Sequence, residues 1–187
     1  MLSIKMSEIY QPSEDSFLMS RILKQQILNL LEKNPDLKFL EIGTGSGIHL
    51  QTALEFGIKK ENIFSSDIDQ KSVDYCNLLG FHCIKSNLFK NIKRKFNLII
   101  FNSPYLPEDK REPKDSQLQT TGGKKGNEII NEFLKQAKNH LEPDGEIFLI
   151  TSSLAEEVNW RGYKKKLLGK KNLFFEELRV WELIHKT

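Results

Sequence analysis

Cysteine, histidine and tryptophan are scarce in this sequence of 187 residues, which contains two, four and two of them, respectively. Cys76 and Cys83 lie seven positions apart, a spacing that matches neither a metal-binding nor a redox-active motif. The histidines are scattered along the chain and form no ligand pattern. The sequence therefore predicts no metal site, and no disulfide framework of the kind that small secreted proteins use.

Long apolar runs and an excess of one charge are also missing. No stretch approaches the length of a membrane-spanning helix, and the first residues do not follow a signal-peptide pattern. The net charge is +3, from 28 basic and 25 acidic residues, which is too even to indicate nucleic-acid binding by charge alone. We therefore expect a cytoplasmic protein without a membrane segment, for which nucleic acid is an unfavoured partner.

The apolar positions that are present predict one α/β domain. With 187 residues, 39% of them hydrophobic, the chain is long enough for one core. Short apolar segments alternate with helical patterns, which is typical of a mostly parallel sheet covered by helices. We assign residues 1–35 to an N-terminal segment and helix, and residues 36–187 to the sheet core.

Periodicity and turn residues give the element boundaries. The predicted helices are 14–33 (after Ser13 as N-cap), 48–56, 71–79, 127–140 and a short one at 154–158, and the predicted strands are 37–42, 63–66, 81–84, 96–101 and 146–151. Residues 163–168 and 173–184 are predicted as an antiparallel hairpin around a turn at 169–172. Residues 143–145 are predicted as a turn, and residues 108–126, which lack periodicity, as a long loop.

A glycine-rich turn joins the first predicted strand to the second helix. Residues 40–47 read Leu-Glu-Ile-Gly-Thr-Gly-Ser-Gly, and Asp67 lies twenty positions beyond Gly47. Glycines let a ligand approach the main chain, and an acid at this distance meets a ribose in doubly wound sheets. The glycines alone are also typical of an ordinary tight turn. Together with Asp67 they predict a nucleoside-containing cofactor.

The details of this turn favour a cationic cofactor. Dinucleotide-binding turns follow G-x-G-x-x-G, whereas this one is G-x-G-x-G, with Glu41 two positions before the first glycine. A carboxylate there would repel a pyrophosphate and attract a positive charge. S-adenosylmethionine has a ribose, an ammonium and a sulfonium but no phosphate, so it is the predicted cofactor.

Two further strand ends carry polar side chains to the same edge of the predicted sheet. Asn87 could bind the adenine amino group between Leu88 and Ile68, although a simple turn residue explains Asn87 equally well. Residues 102–105 read Asn-Ser-Pro-Tyr. The Asn102 side-chain oxygen and the carbonyl of residue 103 can accept hydrogen bonds from one NH2 group, while the proline stiffens the turn and the tyrosine covers a planar substrate.

These motifs resemble class I S-adenosylmethionine-dependent methyltransferases of the HemK/PrmC type, which methylate the glutamine of the Gly-Gly-Gln motif in translation release factors. The resemblance covers most of the chain. Its segments, in order, are Tyr10–Leu18, Leu40–Gly47, Ser66–Asp69, Asn102–Tyr105, Gly122–Gly126 and Phe174–Leu178.

The resemblance implies a Rossmann-like fold with a seven-stranded, mostly parallel sheet, helices on both faces and a C-terminal antiparallel hairpin. The chain is similar to the short archaeal and eukaryotic branch of this family. This similarity implies a class I release factor as substrate and a small zinc-binding activator subunit as partner. Asp15 would lie near the cofactor. The expected cofactor-binding residues are Ser16, Glu41, Gly43, Gly45, Gly47, Asp67, Ile68, Asn87, Leu88 and Asn102. The expected catalytic residues are Asn102, Pro104 and Tyr105.

The chain departs from the family pattern at four places. Ser103 replaces a proline, Asn87 an aspartate and Gln11 a glutamate, and the helix after the fifth strand is curtailed. Two alternative functions stay open at this stage. One is N6-adenine methylation of RNA or DNA, because the same Asn-x-Pro-Tyr segment accepts an exocyclic amino group. The other is an idle S-adenosylmethionine-binding scaffold, which the loss of the proline favours.

Overall fold

Seven strands form one mixed sheet in a computed structural model that describes residues 9–108 and 120–186. The strands are β1 (Phe39–Ile42), β2 (Ile63–Asp67), β3 (His82–Lys85), β4 (Phe96–Phe101), β5 (Leu141–Ser152), β6 (Tyr163–Asn172) and β7 (Glu177–His185). The helices are α1 (Glu14–Lys33), α2 (Ile48–Glu55), α3 (Gln70–Leu78) and α4 (Glu128–Ala137), with short 3-10 segments at Lys60–Asn62 and Lys138–His140.

The strand order is β3-β2-β1-β4-β5-β7-β6. The first five strands are parallel, and β7 pairs antiparallel with both β5 and β6. The chain runs outward from β1 to β2 and β3, then returns to place β4 on the other side of β1. This reversal puts a topological switch point between β1 and β4, the usual ligand position in open α/β sheets. The predicted fold class is confirmed.

Alternating side chains of the central strands build two cores. Leu98 and Ile100 of β4 pack with α1, α2 and α3 on one face, whereas Ile99 and Phe101 pack with α4 on the other. A strand covered on both faces must be apolar at nearly every position, which explains the composition of β4. The two cores hold the sheet rigidly enough to fix the loops at its carboxyl edge. Among the described residues, no helix is long and apolar enough to cross a membrane.

The predicted turn before β5 is part of the strand. β5 begins at Leu141, which pairs with Phe96, and the next pair is Glu146 with Leu98. The residues between Leu141 and Glu146 therefore bulge out of the ladder without ending the strand, because the backbone resumes the same pairing with β4 beyond the bulge.

The short helix predicted at residues 154–158 is absent. The Glu156 N–H donates to the Lys125 carbonyl (3.0 Å), and the Asn159 N–H donates to the Asn131 side chain (2.8 Å). Tertiary hydrogen bonds to the start of α4 thus take the backbone groups that a helix would have used.

The hairpin turn lies at residues 173–176, not at the predicted 169–172. The Leu173 N–H donates to the Glu176 carbonyl at 2.7 Å and closes the turn. Gly169 lies inside β6, next to a register shift, and a Cβ built on it would come within 2.7 Å of Ile22 Cδ1. The glycine is required by the close approach of α1, so it marks a packing contact and not a turn. Of the predicted long loop, residues 109–119 lie outside the described residues.

Candidate active site

The carboxyl ends of β1, β2, β3 and β4 and the start of α1 line one open cleft, with an empty volume of about 1170 Å³ that is continuous with solvent. The cleft brings together nearly every residue that the sequence predicted. Its walls include Ser16, Glu41, Gly43, Gly45, Asp67, Ile68, Asn87, Leu88, Asn102, Pro104 and Tyr105. Four loops from distant parts of the chain therefore converge as the strand-end argument predicts.

Gly47 is not among the residues that line the cleft. It caps α2 in a left-handed conformation (φ 73°), and a Cβ on it would lie 3.1 Å from Cys76 Sγ on α3. Gly45 also has a positive φ of 48°, and it lies directly on the cleft wall. The first of these glycines permits tight helix packing and the second permits close ligand approach.

Asp67 anchors the glycine turn to the end of β2. Its Oδ2 accepts the Gly45 N–H at 2.9 Å, and its Oδ1 accepts the Asp69 N–H at 2.9 Å. Burial raises the pKa of Asp67 more than these two donors lower it, so its pKa lies above the ordinary range for aspartate. Each carboxylate oxygen keeps a second lone pair, so the group can still accept hydroxyls from a ligand in the cleft.

A buried ion pair beneath the cleft was missed by the sequence argument. The Oε1 atom of Glu41 lies 2.6 Å from His49 Nδ1, and its Oε2 accepts the Thr44 hydroxyl at 3.1 Å. The other ring nitrogen, Nε2, lies 3.1 Å from the Ser16 carbonyl. Burial lowers the pKa of His49, but the adjoining Glu41 carboxylate, with the Ser16 carbonyl and the charge of Asp15, outweighs burial and leaves the pKa above its usual value.

The protonated form of His49 fits this environment, because both of its nitrogens then donate to oxygen acceptors. His49 thereby ties α1 to the residue that precedes the glycine turn. The available signal in the sequence was its position in the first turn of α2, where a side chain can reach back to the strand end.

The His49–Glu41 pair predicts a pH-dependent stability. Because the folded pKa of His49 lies above its unfolded value of 6.5, its stabilisation is fully present below that value and is lost as pH rises through the folded pKa. We expect His49→Gln to lower the free energy of unfolding by about 2 kcal/mol at pH 6 and by less at higher pH. Urea unfolding at a series of pH values measures this difference.

The matched control is His82→Gln, which removes a solvent-exposed histidine of β3. Its effect is expected to be small at every pH. A His49→Gln deficit that stays constant or grows as pH rises would show that the folded protein holds this ring neutral.

The Asn102 side chain lines the cleft and carries a buried acceptor. Its Nδ2 makes a long 3.5 Å hydrogen bond to Ser16 Oγ, while its Oδ1 is buried and has no hydrogen-bond partner among the described residues. Leaving such an atom unsatisfied costs about 1–3 kcal/mol, a penalty that a bound donor would remove. An NH2 group that reached this oxygen would find an acceptor. Ser103, which stands where the resemblance would place a proline, is 2% exposed, and within the described part of the chain its hydroxyl also has no partner.

One carboxylate links both walls at the mouth of the cleft. Asp15 accepts the Tyr10 hydroxyl at 2.9 Å and the Tyr105 hydroxyl at 3.3 Å. Burial, and after it the charge of Asp15, raises the pKa of both tyrosines, so both stay neutral donors at physiological pH. The family resemblance implied that Asp15 lies near the cofactor, but no pattern in the sequence indicated this tyrosine–aspartate–tyrosine cluster.

Comparison with known proteins agrees with this geometry. The family model described as the methyltransferase small domain matches residues 21–167. A protein of Methanocaldococcus jannaschii, described as a candidate protein N5-glutamine methyltransferase, is 34% identical over 94% of this chain and 93% of its own length. The eRF1 methyltransferase catalytic subunit of Schizosaccharomyces pombe is 26% identical over 76% of this chain and 72% of that protein.

Solved structures share the fold at lower identity. A chain of the E. cuniculi Mtq2–Trm112 complex, described as responsible for methylating the termination factor eRF1, superposes with a TM-score of 0.68 at 20% identity, covering 96% of this chain and 99% of that one. TrmN of Thermus thermophilus superposes with a TM-score of 0.59 at 17% identity, covering 99% and 53%. The matched family model and the M. jannaschii relative show that this chain belongs to the methyltransferase small domain family and, within it, to the HemK type.

Proposed function

We propose that this protein methylates the side-chain nitrogen of a glutamine in a protein, namely the Gly-Gly-Gln glutamine of a class I release factor. The main supporting observation is that Asn102 lines the same cleft as the glycine turn and Asp67, and that its buried Oδ1 has no hydrogen-bond partner among the described residues. The names of the M. jannaschii and S. pombe relatives support the same substrate class.

The cofactor is S-adenosylmethionine, and the residues of the cleft fit it. Asp67 is placed to accept the ribose hydroxyls, and Ile68, Asn87 and Leu88 form a wall for the adenine. The carboxylate groups of the cleft belong to Asp15, Glu41, Asp67 and Asp69. Glu41 is already paired with His49, so the other three supply the negative charge that suits a cationic ligand and disfavours a pyrophosphate. When bound, the cofactor supplies a methyl group on a positively charged sulfur.

The residues at the end of β4 act on the acceptor nitrogen. The lone pair of an amide nitrogen is delocalised, so the nitrogen is a poor nucleophile without help. Two oxygen acceptors, Asn102 Oδ1 and the carbonyl of Ser103, would hold the NH2 group and stabilise positive charge as it develops on nitrogen. Pro104 limits the freedom of this turn, and Tyr105 would cover the planar amide.

Transfer of a labelled methyl group tests the proposal. The protein is incubated with S-adenosylmethionine carrying a labelled methyl group, together with a release factor, the same factor with its Gly-Gly-Gln glutamine changed to alanine, or RNA and DNA. We expect label in the factor that keeps its Gly-Gly-Gln glutamine, and in none of the other acceptors. Label in nucleic acid would instead establish the adenine methyltransferase. Cofactor binding without label in any acceptor, both with and without the activator subunit proposed below, would establish the idle scaffold.

We further propose that the chain acts with a small zinc-binding activator subunit, and in the cytoplasm, where release factors meet ribosomes. The two-protein complex that contains the E. cuniculi neighbour supports the first of these points. Adding such a subunit is expected to raise the labelling of the release factor.

A further inference from the structure

We propose that the hairpin tip, residues Leu173–Glu176 between β6 and β7, docks the protein substrate beside the cleft. Phe174 and Phe175 would insert into an apolar patch of the substrate, and the Glu176 carboxylate would accept a backbone N–H from the substrate chain. This proposal rests on the proposed function, since it assumes that a folded protein presents the methyl acceptor.

The two phenylalanines are almost fully in solvent. Phe174 is 98% exposed and Phe175 is 89% exposed, with their rings 6.0 Å apart. The turn is closed by the backbone bond from Leu173 to Glu176, so the fold does not depend on these two rings. Adjacent aromatic side chains that add nothing to the core are typical of interface anchors.

Contacts on both sides fix the hairpin tip next to the cleft mouth. Lys171, just before the tip, forms an ion pair with Glu14, which directly precedes Asp15 of the tyrosine–aspartate–tyrosine cluster. On the other side, the Glu177 N–H donates to Ser153 Oγ at 2.8 Å. These bonds attach the tip to α1 and to the residue that follows β5.

Glu176 itself lies near the substrate side of the cleft. After burial and Asp15, its charge is a further cause that raises the pKa of Tyr105. Its Oε1 atom is buried and has no hydrogen-bond partner among the described residues. The neighbouring cations are committed elsewhere, because Lys170 and Arg179 both pair with Glu177. Because Oε1 is closed to solvent, the half-buried carboxylate would have to rotate outward to accept a peptide N–H from a docked substrate.

The charges around the tip favour a protein over a nucleic acid. Lys170 and Lys171, the basic side chains that precede the tip, are paired with Glu177 and Glu14. Glu176 adds a negative charge that would repel phosphates. Aromatic rings alone could also stack on bases, so RNA binding is an outcome that the test must separate.

Steady-state methylation of two substrates tests the proposal. The variant is F174S/F175S, and the substrates are the folded release factor and a short peptide that contains Gly-Gly-Gln. We expect the KM for the release factor to rise about 30-fold, as for loss of an interface anchor, with little change in kcat. The kcat/KM for the peptide and the affinity for S-adenosylmethionine should stay at the wild-type value, because neither ligand presents the apolar protein surface that Phe174 and Phe175 would contact.

The matched control is Leu78→Ser, which removes an apolar side chain that is 75% exposed on α3. Glu176→Ala, which removes the acceptor carboxylate, is expected to raise the KM for the release factor several-fold. An unchanged KM for the release factor in F174S/F175S would overturn the proposal. An equal loss of kcat/KM with the release factor and with the peptide would overturn it as well.

Direct binding of the unmodified release factor separates this proposal from the proposed function. If the wild-type protein binds the factor without methylating it, the proposed function fails, and weaker binding by F174S/F175S still supports the docking role. If the double variant loses affinity for RNA while its affinity for the factor is unchanged, the hairpin tip is not a protein-docking element.

Discussion

Replacing Asn102 with alanine is expected to lower kcat for methyl transfer by about 100-fold or more, the usual loss when one stabilising group of a reacting centre is removed. The change deletes the buried Oδ1 acceptor, which has no hydrogen-bond partner in the described part of the chain. It also removes the weak 3.5 Å bond from Nδ2 to Ser16, so the dissociation constant of S-adenosylmethionine should change only slightly. Single-turnover transfer and calorimetric titration measure the two quantities separately.

Asn97→Ala is the matched control, because Asn97 lies on the same strand at the opposite end. Its Oδ1 accepts the Lys38 N–H at 2.9 Å, so the variant should lose stability but keep its transfer rate per folded molecule. If Asn102→Ala turns over at nearly the wild-type rate, the assignment of the acceptor site to Asn102 is wrong.

Asp67→Ala should differ from Asn102→Ala in the quantity that changes most. Its main effect should be weaker binding of the cofactor, not a lower kcat. If Asp67 accepts both ribose hydroxyls as proposed, losing these two charge-assisted hydrogen bonds should raise the dissociation constant of S-adenosylmethionine about 100-fold. The variant also releases the Gly45 N–H, which loosens the glycine turn. At saturating cofactor, much of the transfer rate should return. Calorimetric titration measures the dissociation constant, and initial transfer rates over a range of cofactor concentrations measure the recovery.

Asp74→Ala serves as the control for Asp67→Ala, since Asp74 lies on the exposed face of α3 and contacts Gln70. It should bind the cofactor as the wild-type protein does. The pKa of Asp67 is raised, so its carboxylate becomes protonated at a higher pH than an aspartate of ordinary pKa. On acidification, the wild-type affinity for S-adenosylmethionine should therefore begin to fall at this higher pH. Unaltered affinity in Asp67→Ala would remove this residue from the cofactor site.

The sheet and the position of the cleft were predictable because their signals are local. β4 is apolar at every position except Asn97, and Asn102 and Ser103 follow it directly, so both its burial and its functional end can be read from residues 96–105. The same applies to the glycine turn and to Asp67. In each case the sequence pattern and the topology rule for open sheets lead to the same edge.

The predictions from sequence were wrong or incomplete where contacts with residues far along the chain determine the local structure. Gly169 indicated a turn, but the close approach of Ile22 on α1 is what requires it. The helix predicted after β5 lost its backbone hydrogen bonds to residues near the start of α4. His49 looked isolated because Glu41 and Ser16 meet it only in the folded chain. Sequence periodicity contains no information about such contacts.

The shared carboxylate of Asp15 has a thermodynamic consequence. Tyr10 comes from the segment before α1 and Tyr105 from the segment after β4, yet both donate to this one group. If the cofactor orders Tyr10 and the acceptor orders Tyr105, each ligand changes the free energy of ordering the other tyrosine, and we expect the two binding events to be coupled. A double-mutant cycle with Tyr10→Phe and Tyr105→Phe should give a non-zero interaction energy in acceptor binding, and strict additivity would disprove this linkage.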